Sequence, residues 1–277
     1  HNHGLSNLEL GNYSEALDDF TKAIELKNDF ADAYYSKGHA STMLKDHSRA
    51  ITDFNKVIEI DPGYARAYGN RGVAKDVLKD YYGAIADFTK AIELKPDFPD
   101  GAENIPQKFD FNISEAYFLR GNSKSSLKDY YGAIDDFNKS IELKPDFANV
   151  YYSRGDSKSK LKDYYEAITD FNKSIELKPD FANAYYLRGN SKKKLGKSFS
   201  SDYNKAIELN PNYLDAYFNR GSLKDSLKDY YGAIADFTKA IELKPYFANA
   251  YYLRGNSKKK LGKSFSSDYN KAIELNP

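Results

Sequence analysis

A glycine preceded by Arg or Lys recurs at Gly38, Gly72, Gly121, Gly155, Gly189, Gly221 and Gly255, at spacings of 34 residues four times, 32 once and 49 once. A period of this length marks a structural unit too short to bury its own apolar face, so neighbouring units must stack. With that glycine as the eighth place of each unit, the chain divides into 1–30, 31–64, 65–98, an insert 99–113, then 114–147, 148–181, 182–213, 214–247 and 248–277. The stretch Phe181 to Pro211 returns letter for letter as Phe247 to Pro277.

Each unit reads as two helices. The fourth place is Tyr (Tyr34, Tyr68, Tyr117, Tyr151, Tyr185, Tyr217, Tyr251) and shares a helical face with the glycine four residues on. A glycine there admits a second helix closely. Asp80, Asp129, Asp163 and Asp229 follow in the turn as N-caps, and Asp163 with Glu166 has capping-box spacing. The second helix carries an apolar stripe, Ala84, Ile85, Phe88, Ala91, Ile92 and Leu94 in the third unit, and Pro closes it at Pro62, Pro96, Pro145, Pro179, Pro211 and Pro245. The repeat also offers a chain of mean hydropathy -0.72 that carries 25 Tyr and 17 Phe a regular arrangement in which aromatics can be buried. About three-quarters helix and no strand is expected.

Tyr151, Gly155, Ala167, Phe171, Ser174 and Pro179 reproduce the aromatic, Gly, Ala, aromatic, small and Pro pattern that the tetratricopeptide repeat family carries over 34 residues. The chain resembles that family everywhere except 99–113. The resemblance implies an all-α fold: an α-solenoid of antiparallel helix pairs forming a right-handed superhelix, first helices lining a concave groove and second helices the convex side. On this reading residues 1–98 hold repeats one to three, 99–113 an insert, and 114–277 repeats four to eight, in one continuous solenoid. Two departures stand out. Arg holds the seventh place, where the family often has Leu, at Arg71, Arg120, Arg154, Arg188, Arg220 and Arg254. Repeats six and eight are two residues short in the turn, with Phe199 and Phe265 replacing a small Ala.

Little points to catalysis. Lys plus Arg number 41 and Asp plus Glu 40, so no global charge draws the chain to nucleic acid or anionic membrane. No cysteine is present for a thiolate site, and no apolar run approaches the ~20 residues that span a bilayer. A soluble chain is expected, its compartment open. His1 and His3 read as a frayed end rather than a metal site, and carboxylates such as Asp135 and Asp136 as a solvated face. Neither enzyme activity nor a cofactor or metal is expected.

The expected function is a scaffold for protein–protein interaction. Places two, five, nine, twelve and thirteen of the first helix share one arc, turned away from Tyr and Gly. They supply Asn149, Asn183 and Asn249; Tyr152, Tyr186 and Tyr252; Asn122, Asn190 and Asn256; and Lys193, Lys194, Lys259 and Lys260. Asn can pair with both groups of an extended peptide backbone, Tyr offers area with a polar tip, and Lys favours acidic segments. First helices hold 19 basic and 7 acidic residues, so the groove side is expected to be basic. An extended or acidic protein segment is the expected ligand. A regulatory or targeting domain of a larger protein is the alternative, and nucleic-acid binding ranks below both. Capture of a chaperone's C-terminal carboxylate is not expected, because the fifth place is aromatic or Gly69 instead of Lys. The insert, with Pro99, Pro106, Ile105, Phe109, Phe111 and Ile113, is expected to bulge and pack. The apolar side of the last helix, around Tyr269, Ala272, Ile273 and Leu275, lacks a following repeat, so the chain is expected either to be a segment of a longer array or to associate end to end.

Overall fold

A computed structural model describes residues 1–94 and 112–276. Sixteen α-helices and no strands occur among them, 79% of those residues being helical. The chain forms two compact units, 1–157 and 158–277, divided within one helix. Unit 1 contains α1 (Asn2–Leu10), α2 (Tyr13–Leu26), α3 (Ala31–Met43), α4 (His47–Ile60), α5 (Ala65–Val77), α6 (Tyr81–Glu93), α7 (Ile113–Ser126), α8 (Tyr130–Leu143) and most of α9 (Ala148–Lys160). Unit 2 contains α10 (Tyr164–Leu177), α11 (Ala182–Lys194), α12 (Ser200–Leu209), α13 (Leu214–Ser226), α14 (Tyr230–Leu243), α15 (Ala248–Lys260) and α16 (Ser266–Leu275). Odd-numbered helices are first helices of a repeat and even-numbered ones second helices. Within each unit second helices pack on their own first helix and on the next, as α5 and α7 flank α6 and α13 and α15 flank α14. Successive first helices also touch, α3 with α5, α5 with α7 and α13 with α15.

The glycine at the eighth place sets the spacing within each pair. A Cβ on Gly72 would lie 2.8 Å from Cε1 of Phe88, and the same holds for Gly121 against Phe137 at 2.7 Å and Gly255 against Tyr269 at 2.7 Å. Ala at the start of the second-helix stripe (Ala84, Ala133, Ala233) and Phe88, Phe137 and Phe237 are fully buried. The Asp caps form: Asp80 and Asp129 each accept from a glycine amide, Gly83 and Gly132, at 3.0 Å. Lys79, Lys128, Lys162 and Lys228 precede these caps in the left-handed conformation, φ 64 to 67°. The capping box at Asp163 is only half made. Asp163 accepts from the Glu166 amide at 3.4 Å, but the Glu166 carboxylate turns to Lys158 Nζ at 3.4 Å, and the Asp163 amide bonds the Lys158 carbonyl.

The short turns of repeats six and eight remove the first turn of the second helix. α12 and α16 have 10 residues where α10 and α14 have 14, so Phe199 and Phe265 stand outside the helix as N-cap residues and pack on Tyr203 and Tyr269. They therefore do not compete for the buried Ala position. Most of the 99–113 insert lies outside the described residues. Its end does not: Asn112 caps α7, accepting from the Glu115 amide at 2.8 Å, and Ile113 opens that helix.

Candidate protein-binding surface

The seventh-place arginine joins three elements. Arg220 Nη2 and Nε donate to both carboxylate oxygens of Asp236 at 2.7 and 2.9 Å, its Nη1 donates to Asn204 of the preceding second helix at 2.9 Å, and its guanidinium lies 5.4 Å from the centroid of the Tyr217 ring. Arg71, Arg120 and Arg254 repeat this with Asp87, Asp136 and Asp268, and with Asn55, Thr89 and Thr238 across the repeat boundary; Arg188 does so with Asp202 and Asn172, its Nε and Nη2 both donating to Oδ1 of Asp202. A lysine four residues on (Lys75, Lys124, Lys192, Lys224, Lys258) completes each cluster at 2.8 or 2.9 Å. The short repeats keep the pairing because their Arg-to-Asp separation drops from 16 residues to 14, in step with the missing turn. This explains the departure from Leu: Arg is a staple between repeats.

Three expectations change as a result. Asp136 is buried, so only Asp135 of that pair belongs to a solvated face. His1 and His3 are not frayed; they hold the fifth and seventh places, with His1 ringed by Phe20 and Phe30 at 5.6 and 4.8 Å and His3 Nδ1 2.6 Å from Asp19. At least twelve of the 19 first-helix cations reach a buried second-helix aspartate, two to most carboxylates, so the basic excess largely serves the interior of the stack.

The fifth-place aromatics are also engaged. Tyr35 is 1% exposed, wedged between Phe54 and Tyr64, and its hydroxyl accepts from Asn70 of the next repeat at 2.6 Å. Tyr186 lies between Tyr203 and Tyr213 and accepts from Asn219 at 2.8 Å, and burial raises its hydroxyl pKa. Burial, with Asp156 nearby, pushes the Tyr152 hydroxyl up to about 12. Tyr252 packs on Tyr269 and is 52% exposed. At the ninth place Asn190 and Asn256 accept from the hydroxyls of Tyr203 and Tyr269 at 2.7 and 2.6 Å, and Asn122 is half-buried. Each of these aromatics and their sixth-place partners Asn70 and Asn219 was visible as a recurring letter, but a single helix does not show that the next repeat covers it.

What remains open to solvent is narrower. Asn149, Asn183 and Asn249 are exposed at the start of α9, α11 and α15. Lys193 and Lys194 are exposed at the end of α11, as are Lys259 and Lys260 at the end of α15, where Lys260 Nζ sits 2.8 Å from Asp225. Among the described residues no cluster of His, Cys, Asp and Glu could hold a metal ion, and no helix is long and apolar enough to cross a membrane.

Comparison with known proteins agrees with this architecture. The family models for the TPR repeat match residues 4–44 and 155–196, and those for the tetratricopeptide repeat match 31–64, 65–98, 114–147 and 214–247. No curated protein matches. Among solved structures, MamA is 26% identical with a TM-score of 0.54, over 58% of this chain and 91% of that one. YrrB, described as a TPR protein with an unusual peptide-binding site, is 22% identical with a TM-score of 0.57, over 71% and 95%. The C-terminal part of a TPR repeat-containing protein from Cytophaga hutchinsonii is 18% identical with a TM-score of 0.68, over 91% and 98%; these last two show the fold alone. With helix pairs in every described repeat and family matches along most of its length, the chain belongs to the tetratricopeptide repeat family.

Proposed function

We propose that this protein is a non-catalytic scaffold that binds an extended, acidic protein segment along the free side of its first helices. The observation that carries the reading lies within unit 2, where Asn183 and Asn249 are exposed at one recurring place and Lys193, Lys194, Lys259 and Lys260 at the far ends of α11 and α15; Asn149 is exposed at the same place of unit 1. Exposed carboxamides can satisfy both groups of a bound backbone, and Lys193, Lys194 and Lys259, beyond the buried aspartate clusters, offer charge to a ligand carboxylate. Within unit 2, Tyr186, Asn190 and Asn256 act as the wall behind those residues, while Tyr252 adds exposed aromatic area; Asn122 and Tyr152 are half-buried at the corresponding places of unit 1. That the similar YrrB is described as having a peptide-binding site supports the same class of ligand.

Selection of a displayed random-peptide library on the immobilised protein tests this. Acidic peptides should be enriched, and Asn183→Ala with Lys193→Glu should weaken a selected peptide at least about tenfold, or ~1.4 kcal/mol. Enrichment of neutral or basic sequences, or affinity indifferent to both substitutions, refutes the site.

A further inference from the structure

Where the two helices of a repeat meet, the short repeats depart from the others in more than length. In repeats five and seven a left-handed lysine, Lys162 or Lys228, precedes the aspartate that caps the second helix. In repeats six and eight a left-handed glycine, Gly196 or Gly262, precedes Lys197 or Lys263 instead. The second helices that follow, α12 and α16, have no side-chain cap. A cation just ahead of a helix N-terminus opposes the helix dipole, and a missing cap costs stability, so local helix energetics disfavour both lysines. What they gain is an aromatic ring of the preceding repeat. Lys197 Nζ lies 4.5 Å from the centroid of Tyr165, and Lys263 Nζ 4.4 Å from that of Tyr231. Both tyrosines stay open to solvent, 62% and 65% exposed, and a cation–π contact at so exposed a site offsets only part of the loss.

These turns form one edge of unit 2. Residues 160–166, 194–200, 226–232 and 260–266 hold seven lysines, all exposed, against three acids, two of which, Asp163 and Asp229, are engaged as helix caps. The three turns between repeats at the opposite ends of the helices, 176–182, 208–214 and 242–248, hold two lysines against four acids. In unit 1 the turns that correspond to the basic edge, 43–49, 77–83 and 126–132, hold four lysines or arginines against three acids, so the charge belongs to unit 2. Lys194 and Lys197 are exposed although a repeat follows them, so exposure here is a property of the turn. Leu227, 69% exposed, adds an aliphatic side chain to the same edge.

We propose that this edge of unit 2 docks on an anionic lipid surface, with Tyr165, Tyr231 and Leu227 at headgroup level and Lys197, Lys263 and the neighbouring lysines against lipid phosphates. Tyrosine at the membrane–water interface and lysine facing anionic headgroups are the pairing that such a surface favours. The edge suits a lipid surface better than a nucleic acid. Leu227 gains from the acyl boundary and nothing from a base. Tyr165 and Tyr231 stand on alternate repeats, and Phe199 between them is half-buried against Tyr203, so a run of bases has no continuous stacking platform. Arginine, the better fork for phosphate, is committed elsewhere: Arg188, Arg220 and Arg254 hold buried aspartates. Lys197, Lys263, Tyr165 and Tyr231 lie outside the peptide-binding residues, so the lipid surface does not depend on that reading.

Sedimentation of the 277-residue chain with phosphatidylcholine vesicles, with and without phosphatidylserine, tests this. Binding is expected only with phosphatidylserine and should fall steeply between about 0.05 and 0.5 M salt. Lys197→Glu with Lys263→Glu should weaken it at least about tenfold. Tyr165→Ser with Tyr231→Ser, which leaves the net charge unchanged, should weaken it about threefold. Lys79→Glu with Lys128→Glu, the same charge change in the near-neutral turns of unit 1, should move it less than about twofold. All six positions are exposed, so helicity by circular dichroism should match the parent in every variant. Absence of binding to anionic vesicles at low salt, equal losses for the two lysine pairs, or retention on single-stranded oligothymidylate in place of vesicles overturns the proposal. Asn183→Ala, which tests the peptide site, should leave vesicle binding intact, so the two readings fail separately.

Discussion

Replacing Asp236 with Ala isolates the arginine staple. The carboxylate is 3% exposed and holds Arg220 at 2.7 Å and Lys224 at 2.9 Å, whose side chains are 18% and 29% exposed. Removing one partner of a fully buried pair costs about 3–5 kcal/mol, because the remaining charge is left desolvated. Here both cations keep some water, so solvent screening brings the expected loss to about 2–3 kcal/mol. The Asn204 and Tyr217 contacts of Arg220 are left standing, yet without its anchor the guanidinium loses the geometry that serves them. Replacing both partners, Arg220→Leu with Asp236→Leu, should cost less than Asp236→Ala, since only Lys224, 29% exposed and able to turn to solvent, then loses its carboxylate. Urea unfolding followed by circular dichroism, with hydrogen exchange at α13 and α14 to keep the reading local, measures both. A loss below about 1 kcal/mol for Asp236→Ala, or a double variant as unstable as the single one, refutes the reasoning, because either result means that the carboxylate is not what the buried cations depend on.

Gly72→Ala should destabilise by about 1–3 kcal/mol, since its Cβ would lie 2.8 Å from a fully buried Phe88 ring that has nowhere to move; a neutral result in urea unfolding rejects the close-approach reading. Burial depresses His39 from 6.5 to about 4, so between those values the unfolded chain binds the extra proton and stability falls as pH falls through that window. His39→Asn, which installs the residue found at the same place in Asn122 and Asn190, should flatten that part of the stability–pH curve; curves that stay parallel for parent and variant exclude this role.

Sequence alone determined the period, the helix pairs, the close contact at each glycine and the aspartate caps, because each depends on residues within about one turn or on the partner helix of the same repeat. Tertiary structure decided the rest. Helical periodicity turns the fifth-place tyrosines away from their own second helix, yet Tyr35 and Tyr186 pack on its core aromatic, Phe54 and Tyr203, and the aromatic that precedes the next repeat closes over them. The charge count had the same blind spot. The Asp before the core aromatic recurs in every repeat, from Asp19 to Asp268, with a basic residue or His3 at the seventh place, 16 residues earlier or 14 in the short repeats, but composition cannot tell a solvated charge from one buried between two cations. Whether Asp136 meets water or Arg120 depends on the area that stacking removes, and a solenoid's burial is set by neighbours one full repeat away.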